Sequence, residues 1–393
     1  MLIQEKVAQA VKILQELDID CWITFVRESV LNGDPILDFI LGTDVTWHSA
    51  FIVTKKGSTT AIVGQYDQKT VEDTGAYEKV ISFVEGVKEP LLRELKEISP
   101  QRIAVNFSKG SEICDGITHG MYLTLVEFLS ELGYQDRIVS AEKVISALRQ
   151  RKTDTEIMHI KNAIVETEAI FERVADYIQP GRSEIEIAVF MKNIVEEKNL
   201  GYAWDEASCP AVFTGPETAG AHYAPTDRKV ERGHILNMDF GVKPEGYCSD
   251  LQRTFYILRE GETEAPPEVQ KGFNVIVEAI ELARQKLRPG VQGVEVDKVA
   301  REHLVKNGYE EFPHGLGHQV GRFAHDGTAL LGPAWEKYAN KPFEIIEEGM
   351  VFTIEPRLTV PGYGVATIEN MVLVASAGAD YISTPQKELI VLK

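Results

Sequence analysis

Acidic residues stand at matching positions in a hairpin-like segment, ILNMDFGVKPEGYCSDLQRTFYI, in the second half of the chain. Lys243–Gly246 has the composition of a type I turn, with Pro at its second position and Gly at its fourth. If Pro244 and Glu245 are the loop residues, Asp239 faces Asp250 directly across the hairpin, with Cβ atoms about 5 Å apart. The spacing therefore predicts two carboxylates on one face of a sheet.

A second segment, MVFTIEPRLTVPGYGVATIENMVLV, repeats this arrangement. A loop centred on Gly362 places Glu355 opposite Glu369, again within apolar strands. Like charges that face each other across a sheet are destabilising, so two such pairs require a compensating cation. A solvated face or unrelated salt bridges would be the alternative explanation.

Between the two segments lies PHGLGHQVGRFAHD, with His314, His318 and His325 among glycines. Two Asp, two Glu and one His suit borderline-hard divalent ions, with Mn²⁺ or Co²⁺ favoured and Zn²⁺ or Fe²⁺ as options. Four carboxylates balance the charge of two such ions, so the residues favour a dinuclear site with a hydroxide between the metals. The chain has no HExxH, GxSxG or GxxxxGK[ST] motif.

Composition limits the possible partners and locations of the protein. With 41 Lys and Arg against 60 Asp and Glu, the net charge of −19 disfavours nucleic acid. No run of 18 apolar residues predicts a membrane span, and the N-terminus reads as an amphipathic helix, unlike a secretory signal. Four widely spaced cysteines without a CxxC pair favour free thiols and a cytoplasmic location.

The elements that must position these residues divide the 393-residue chain into two parts. Residues 1–152 alternate helix and strand patterns, including a helix over 4–17, a buried strand over 21–26 and a hairpin over 48–64. This pattern predicts an α/β domain with a mixed sheet. In residues 153–393, Thr153 or Asp154 is expected to cap a helix that runs to about Tyr177.

The strings MDFG, SDLQRTF, HGLGHQVG, FTIEP and IEN resemble the signature segments of the pita-bread metallopeptidases over about residues 155–393. The resemblance is to the Xaa-Pro peptidase branch, which comprises prolidase and aminopeptidase P. It implies a creatinase-like α/β N-terminal domain, an α+β pita-bread catalytic domain and a homodimer. It also implies five ligands for two metal ions: Asp239, Asp250, His318, Glu355 and Glu369.

The resemblance assigns further roles around the metal site. His222 and His325 take the places of the family's two active-site histidines, and Glu355 is expected to shuttle protons while it binds metal. His325 and a metal ion would stabilise the oxyanion, and His314 would lie near the substrate. Tyr223 and Phe323, close in sequence to these histidines, are candidates for a proline pocket, with ordinary packing as the alternative.

Three positions depart from the family pattern. Thr367 stands where many members carry Arg, Ala329 stands where some prolidases carry Arg, and Arg357 stands where many members carry Gly. A guanidinium binds a carboxylate bidentately, so Arg357 or Arg322 is a candidate to hold the C-terminal carboxylate of a substrate. A structural role is the alternative for both arginines.

The expected activity is metal-dependent hydrolysis of the Xaa-Pro bond in dipeptides or short peptides. An aminopeptidase P that acts on longer peptides is the nearest alternative. A hydrolase or lyase other than a peptidase on the same fold is another, because fold does not determine function. A metal-free binding module is a third, and the five intact ligands argue against it.

Overall fold

A computed structural model describes residues 2–217 and 224–393. The chain divides into two compact units, Met1–Arg149 and Gln150–Lys393. A boundary between independently folding domains after residue 152, as expected from the sequence, stays a prediction.

The first unit is a six-stranded mixed sheet covered by helices. The sheet order is β4-β3-β2-β1-β5-β6, with β1 antiparallel to β2 and parallel to β5. Its elements are α1 (Leu2–Glu16), β1 (Cys21–Val26), α2 (Ser29–Asn32), α3 (Leu37–Ile40), β2 (Ser49–Thr54), β3 (Thr59–Gly64), α4 (Gln68–Thr74), β4 (Lys79–Phe83), α5 (Lys88–Ile98), β5 (Ile103–Val105), α6 (His119–Ser130), β6 (Ile138–Ser140) and α7 (Glu142–Gln150). The predicted α/β domain with a mixed sheet is confirmed.

The second unit begins with two helices and continues with two sets of hairpins separated by two more helices. Its elements are α8 (Asp154–Tyr177), α9 (Glu184–Lys198), β7 (Ala211–Thr214), β8 (Ile235–Phe240), β9 (Leu251–Ile257), α10 (Pro267–Lys286), α11 (Gly293–Lys306), β10 (Gly317–His318), β11 (Leu330–Leu331), β12 (Val351–Ile354), β13 (Arg357–Val360), β14 (Gly364–Thr367), β15 (Asn370–Ala375), β16 (Gly378–Tyr381) and β17 (Ile390–Leu392). The strands form a four-stranded sheet β17-β9-β8-β7, a three-stranded sheet β12-β15-β16 and the pairs β13-β14 and β10-β11.

The start of α8 follows the sequence prediction. The Thr153 hydroxyl accepts from the Glu156 amide, and the Glu156 carboxylate accepts from the Thr153 amide, which forms a complete capping box. The helix then runs to Tyr177, just before Pro180. The predicted cap and end of this helix are confirmed.

One face of the second hairpin packs against helix α10, in a hydrophobic core to which α11 also contributes. The side chains that this ribbon contributes to that core all have even residue numbers, from Met350 and Phe352 through Leu358 and Ala366 to Val374. Because side chains alternate between the two faces of a strand, odd-numbered residues of the ribbon lie on the opposite face. That opposite face carries the functional carboxylates described below.

Candidate metal centre

The first hairpin brings Asp239 and Asp250 together in a register that differs from the predicted one. In the β8–β9 pair, Asp239 lies opposite Gln252, and Asp250 precedes the strand by one residue. The prediction that the two aspartates face each other directly is therefore wrong by two residues. A slip of two residues keeps every side chain on its original face, so both carboxylates still point to the same side.

The turn explains this shift. Tyr247 N–H donates to Pro244 O, which makes Glu245 and Gly246 the central residues. Both have positive φ, 53° and 79°, as in the type I′ turns whose twist matches that of the strands, whereas the sequence suggested a type I turn. The strained Glu245 is held by side chains of α8, because its Oε2 lies 2.8 Å from His159 Nδ1 and accepts from Asn162 Nδ2.

The second hairpin follows the predicted register along its whole length. Pairs such as Arg357 with Thr367 and Ile354 with Asn370 lie on either side of Glu355 and Glu369. The strands are interrupted at these two glutamates, where Pro356 removes a backbone donor. Both glutamates have odd numbers and therefore lie on the face away from helices α10 and α11.

A buried polar layer joins the two hairpins. Gln252 exchanges backbone hydrogen bonds with Glu369, and its Nε2 donates to Asp239 Oδ2 at 3.1 Å. The Thr367 hydroxyl donates to Gln252 Oε1 at 3.0 Å. Gln252 thus fixes the distance between a carboxylate of the first hairpin and a carboxylate of the second.

His318 completes the cluster from the short strand β10. Its Nε2 lies 3.6 Å from Asp250 Oδ2, 3.5 Å from Glu355 Oε1 and 3.9 Å from Glu369 Oε1. Single ligand atoms of Asp250, His318 and Glu369 lie within 4.8 Å of one another. The imidazole of His318 and three carboxylates therefore converge on one point.

Two further histidines lie on the same glycine-rich segment. The ring of His325 packs edge-on against His318, with ring centroids 4.2 Å apart. His314 Nδ1 lies 2.8 Å from Gly315 O, and its own carbonyl accepts from the Arg301 guanidinium. The structure therefore brings His325 to the cluster, whereas His314 lies at the start of the segment beside helix α11.

The carboxyl groups strongly disfavour ionisation when no cation is present. Burial raises the pKa of Asp239 from its ordinary value of 3.8 to about 7. Burial, followed by the charges of Asp239 and Glu355, raises the pKa of Asp250 well above that value. The pKa values of Glu355 and Glu369 are also raised well above 4.5, chiefly by burial. Four such groups cannot all be charged at neutral pH without an opposite charge among them.

The donor set fits divalent metal ions. Asp239 Oδ1 and both carboxylate oxygens of Glu369 are buried and have no hydrogen-bond partner among residues 2–217 and 224–393. Buried carboxylate oxygens are normally paired or coordinate a metal. Oxygen ligands with one imidazole suit Mn²⁺, Co²⁺, Fe²⁺ and Zn²⁺.

The remaining predicted residues lie in different surroundings. Phe323 is 39% exposed, with the Lys243 ammonium 4.5 Å from its ring centre. Arg357 is half-buried on β13, and burial lowers the pKa of its guanidinium. Within the described parts of the chain it has neither an ion pair nor a hydrogen bond through its side chain. His222 and Tyr223 lie outside the described residues.

The structure adds residues that the sequence reasoning missed. Gln252 is one; it stands two residues after Asp250 in the predicted strand and therefore on the same face, which could have indicated it. Arg301 and Asp297 of α11 are others, joined by two hydrogen bonds of 2.8 Å. Arg301 donates to the carbonyls of Phe312 and His314, so this pair holds the backbone before His318. No local pattern links α11 to that segment.

Comparison with protein families gives one match over most of the second unit. The sequence profile described as metallopeptidase family M24 matches residues 158–376. An uncharacterized peptidase of Staphylococcus aureus is 31% identical over 245 residues, which are 62% of this chain and 65% of the relative. The match therefore spans slightly less than two thirds of that relative. The uncharacterized peptidase YqhT of Bacillus subtilis is 27% identical over 280 residues, 71% of this chain and 73% of YqhT.

Solved structures match both units. A structure described as an Xaa-Pro dipeptidase from Bacillus anthracis has a TM-score of 0.74 and 24% identity, over 99% of this chain and 100% of that one. An X-Pro aminopeptidase from Thermotoga maritima has a TM-score of 0.74 and 24% identity, over 97% of this chain and 100% of that one. At this identity the matches concern the fold. Together with the family match, they confirm an α/β N-terminal part followed by a pita-bread fold. Among the described helices, none is both long and apolar enough to cross a membrane.

Proposed function

Because the chain belongs to metallopeptidase family M24, we propose that it hydrolyses the Xaa-Pro bond of dipeptides or short peptides with the help of two divalent metal ions. The observation that carries this proposal is the convergence of His318 and three carboxylates on one point, with the buried carboxyl group of Asp239 beside Asp250. The unpaired oxygens of Asp239 and Glu369 support the presence of cations there. The fold shared with an Xaa-Pro dipeptidase supports the substrate class.

We assign metal binding to the five residues of the cluster: Asp239, Asp250, His318, Glu355 and Glu369. When bound, the ions lower the pKa of water to near neutrality and polarise the scissile carbonyl. Mn²⁺ or Co²⁺ suits the oxygen-rich set best, and Zn²⁺ or Fe²⁺ is compatible with it. The raised carboxyl pKa values support this assignment, because two bound divalent ions would compensate the negative charges that burial otherwise disfavours.

Glu355 of the cluster and the adjacent His325 have proton-handling and charge-stabilising roles in this proposal. Three carboxylates lie within 4 Å of His318, and the side chain of Glu355 is the most exposed of them, at 13%. Glu355 can therefore reach both the buried cluster and the substrate. It accepts the proton of the attacking water and delivers it to the leaving nitrogen. His325, packed against His318, donates a hydrogen bond to the carbonyl oxygen as negative charge develops there.

Arg357 is the proposed anchor for the substrate's C-terminal carboxylate. It lies directly opposite Thr367, whose hydroxyl reaches Gln252 in the polar layer, so both residues stand on the face of the ribbon that carries the glutamates. A half-buried guanidinium without an acidic partner in the described chain is suited to bind a free carboxylate. Ala329 is buried in the core and offers no positive charge at the position where some prolidases carry Arg.

The other substrate contacts are proposed from the resemblance. His222 would position the substrate at the scissile bond, and Tyr223 and Phe323 would line the proline pocket. His314 would lie near the substrate.

The four cysteines are buried free thiols, which supports a reducing compartment such as the cytoplasm. A homodimer is also expected, and light scattering on the purified protein would test it.

The experiment that tests this function combines metal analysis with two substrates. Protein treated with chelator is loaded with Mn²⁺ or Co²⁺, its metal content is measured, and hydrolysis of Ala-Pro is compared with that of Ala-Pro-Ala. We expect two ions per chain and faster hydrolysis of the dipeptide. Loaded protein that cleaves neither peptide would contradict the proposed activity. Faster cleavage of the tripeptide would identify an aminopeptidase P, an alternative that the missing charge at Ala329 favours.

A further inference from the structure

The loop that carries His325, residues 319–328, has no regular secondary structure. His318 and His325 meet because the residues that follow them are joined: the Asp326 amide donates to Gln319 O at 2.8 Å. The position of His325 therefore depends on how firmly Asp326 is held.

A buried ion pair holds Asp326. Lys152 Nζ lies 3.6 Å from Asp326 Oδ2, and both side chains are completely buried. The same oxygen accepts the backbone N–H of Arg322 at 2.7 Å. The Asp326 carboxylate is thus bound through one oxygen both to its own loop and to the segment that precedes helix α8.

Lys152 is itself fixed by its backbone. Its amide donates to Gly349 O at 3.0 Å, and the next residue, Thr153, is the N-cap of α8. Gly321 leaves the space that the pair requires, because a Cβ there would lie 2.1 Å from Asp326 Oδ2 and 2.6 Å from Lys152 Nζ. Any larger residue at position 321 would therefore collide with both members of the ion pair.

A second tether joins the same two segments. The Gln150 amide group donates to the Thr328 hydroxyl, and its Oε1 accepts from Gln319 Nε2 at 3.2 Å. Both ends of the loop are thus bound to residues 150–152. These side-chain contacts take the place of the ladder hydrogen bonds that position residues in a strand.

The buried ion pair between Lys152 and Asp326 is better explained by the position it gives the loop than by a contribution to stability. Removing two charges from water costs several kcal/mol for each ion, and apolar residues of similar volume often replace a buried pair without loss of stability. An ion pair, however, specifies one position for its partners, whereas apolar contacts tolerate sliding. The residue it specifies here is the direct neighbour of His325.

We propose that Lys152 is a positioning residue, which acts through Asp326 to hold His325 against His318 and the metal cluster. This inference rests on the proposed function in that His325 stabilises charge on the substrate. It predicts that removing the pair lowers kcat and leaves KM and metal content nearly unchanged, since neither residue is one of the proposed metal ligands or substrate contacts.

The test compares Lys152→Met, Lys152→Arg, Asp326→Asn and the double variant Lys152→Met/Asp326→Asn, with Lys161→Met as an exposed control on α8. The double variant removes both charges and therefore leaves no unpaired charge in the core if Lys152→Met alone fails to fold. We expect kcat to fall about 10- to 100-fold, as for a displacement of about 1 Å in an active site. KM and bound metal should stay within about twofold, and Lys152→Arg should recover most of kcat.

A second measurement does not depend on activity. Hydrogen exchange of residues 319–328 should be faster in the double variant, while exchange in β12 and β15 stays unchanged. Unchanged kcat and unchanged loop exchange in the double variant would overturn the proposal, as would a loss of activity caused by lost metal. If the unmodified protein cleaves no Xaa-Pro substrate, the proposed function fails, and the exchange experiment still decides whether Lys152 positions the loop.

Discussion

Replacing Asp239 with Asn should stabilise the metal-free protein and strongly reduce its stabilisation by metal. Asp239 is 3% exposed, and burial raises its pKa from 3.8 to about 7. At about 1.4 kcal/mol per pKa unit, this shift corresponds to about 4 kcal/mol of unfavourable free energy when the group is ionised in the folded state. An uncharged side chain of the same shape does not incur this cost.

The effect depends on pH in a defined direction. Between pH 3.8 and about 7 the folded protein keeps a proton on Asp239 that the unfolded chain has released. The free energy of unfolding of the metal-free protein therefore decreases as pH rises through this window, and the contribution of Asp239 is constant above it. Asp239→Asn should raise the stability by up to about 4 kcal/mol at pH 8 and by much less at pH 5.

The local contacts permit the substitution. Asp239 Oδ2 accepts from Gln252 Nε2, and the oxygen of Asn can keep this bond. The Oδ1 position has no donor among the described residues, so the Asn amide can take it and donate towards Asp250. The exchange therefore leaves no new buried group without a partner.

The assay is urea unfolding of the two proteins in chelator and in excess Mn²⁺, at pH 5 and pH 8. The transition of the second unit is identified as the one that metal shifts. The unmodified protein should gain about 2.7 kcal/mol for each site at a metal concentration of 100 Kd, whereas the variant should gain much less. Asp380→Asn, an exposed carboxylate on β16, is the matched control. A variant that is less stable than the unmodified protein in chelator at pH 8, or equally stabilised at both pH values, would refute the reasoning.

Three further predictions concern other parts of the molecule. Arg357→Ala should lower kcat/KM for an Xaa-Pro dipeptide about 10- to 150-fold, because one charge-assisted contact worth about 1.5–3 kcal/mol is lost, and should affect the tripeptide less; an equal loss on both substrates would indicate a structural role. Burial raises the pKa of Asp34 to about 6, so the stability of the first unit should fall by up to about 3 kcal/mol between pH 3.8 and 6. Unfolding of Asp34→Asn followed against pH should lack this decrease, and a retained decrease would contradict the assignment. Gly241→Ala would place a Cβ 2.0 Å from Ser249 O and should weaken metal binding and lower the free energy of unfolding by about 1–3 kcal/mol. Calorimetry with Mn²⁺ is the measurement, and Gly86→Ala, whose added Cβ would have no atom within 4 Å, is the control.

Much of the site could be read from the sequence because strand alternation is local. The Gly362-centred turn gave the register that the second hairpin adopts, with Arg357 opposite Thr367. In the first hairpin the turn was misjudged, yet the error of two residues left Asp239 and Asp250 on one face. The prediction of which face each side chain occupies was therefore correct, although the predicted pairing of residues was wrong.

Contacts from distant elements decided the rest. The turn of the first hairpin depends on His159 and Asn162 of α8, which hold Glu245 at positive φ. The sequence of the hairpin alone does not indicate these contacts. The neighbours of His325 depend on Lys152, 174 positions from Asp326 along the chain by their numbers. The sequence by itself determined which residues are candidates for the chemistry and which face of each strand they occupy, because both follow from residue type and a period of two. The distances between the carboxylates, their raised pKa values and the ion pair behind His325 came only from the tertiary structure, because burial and approach between segments are set by packing over the whole unit.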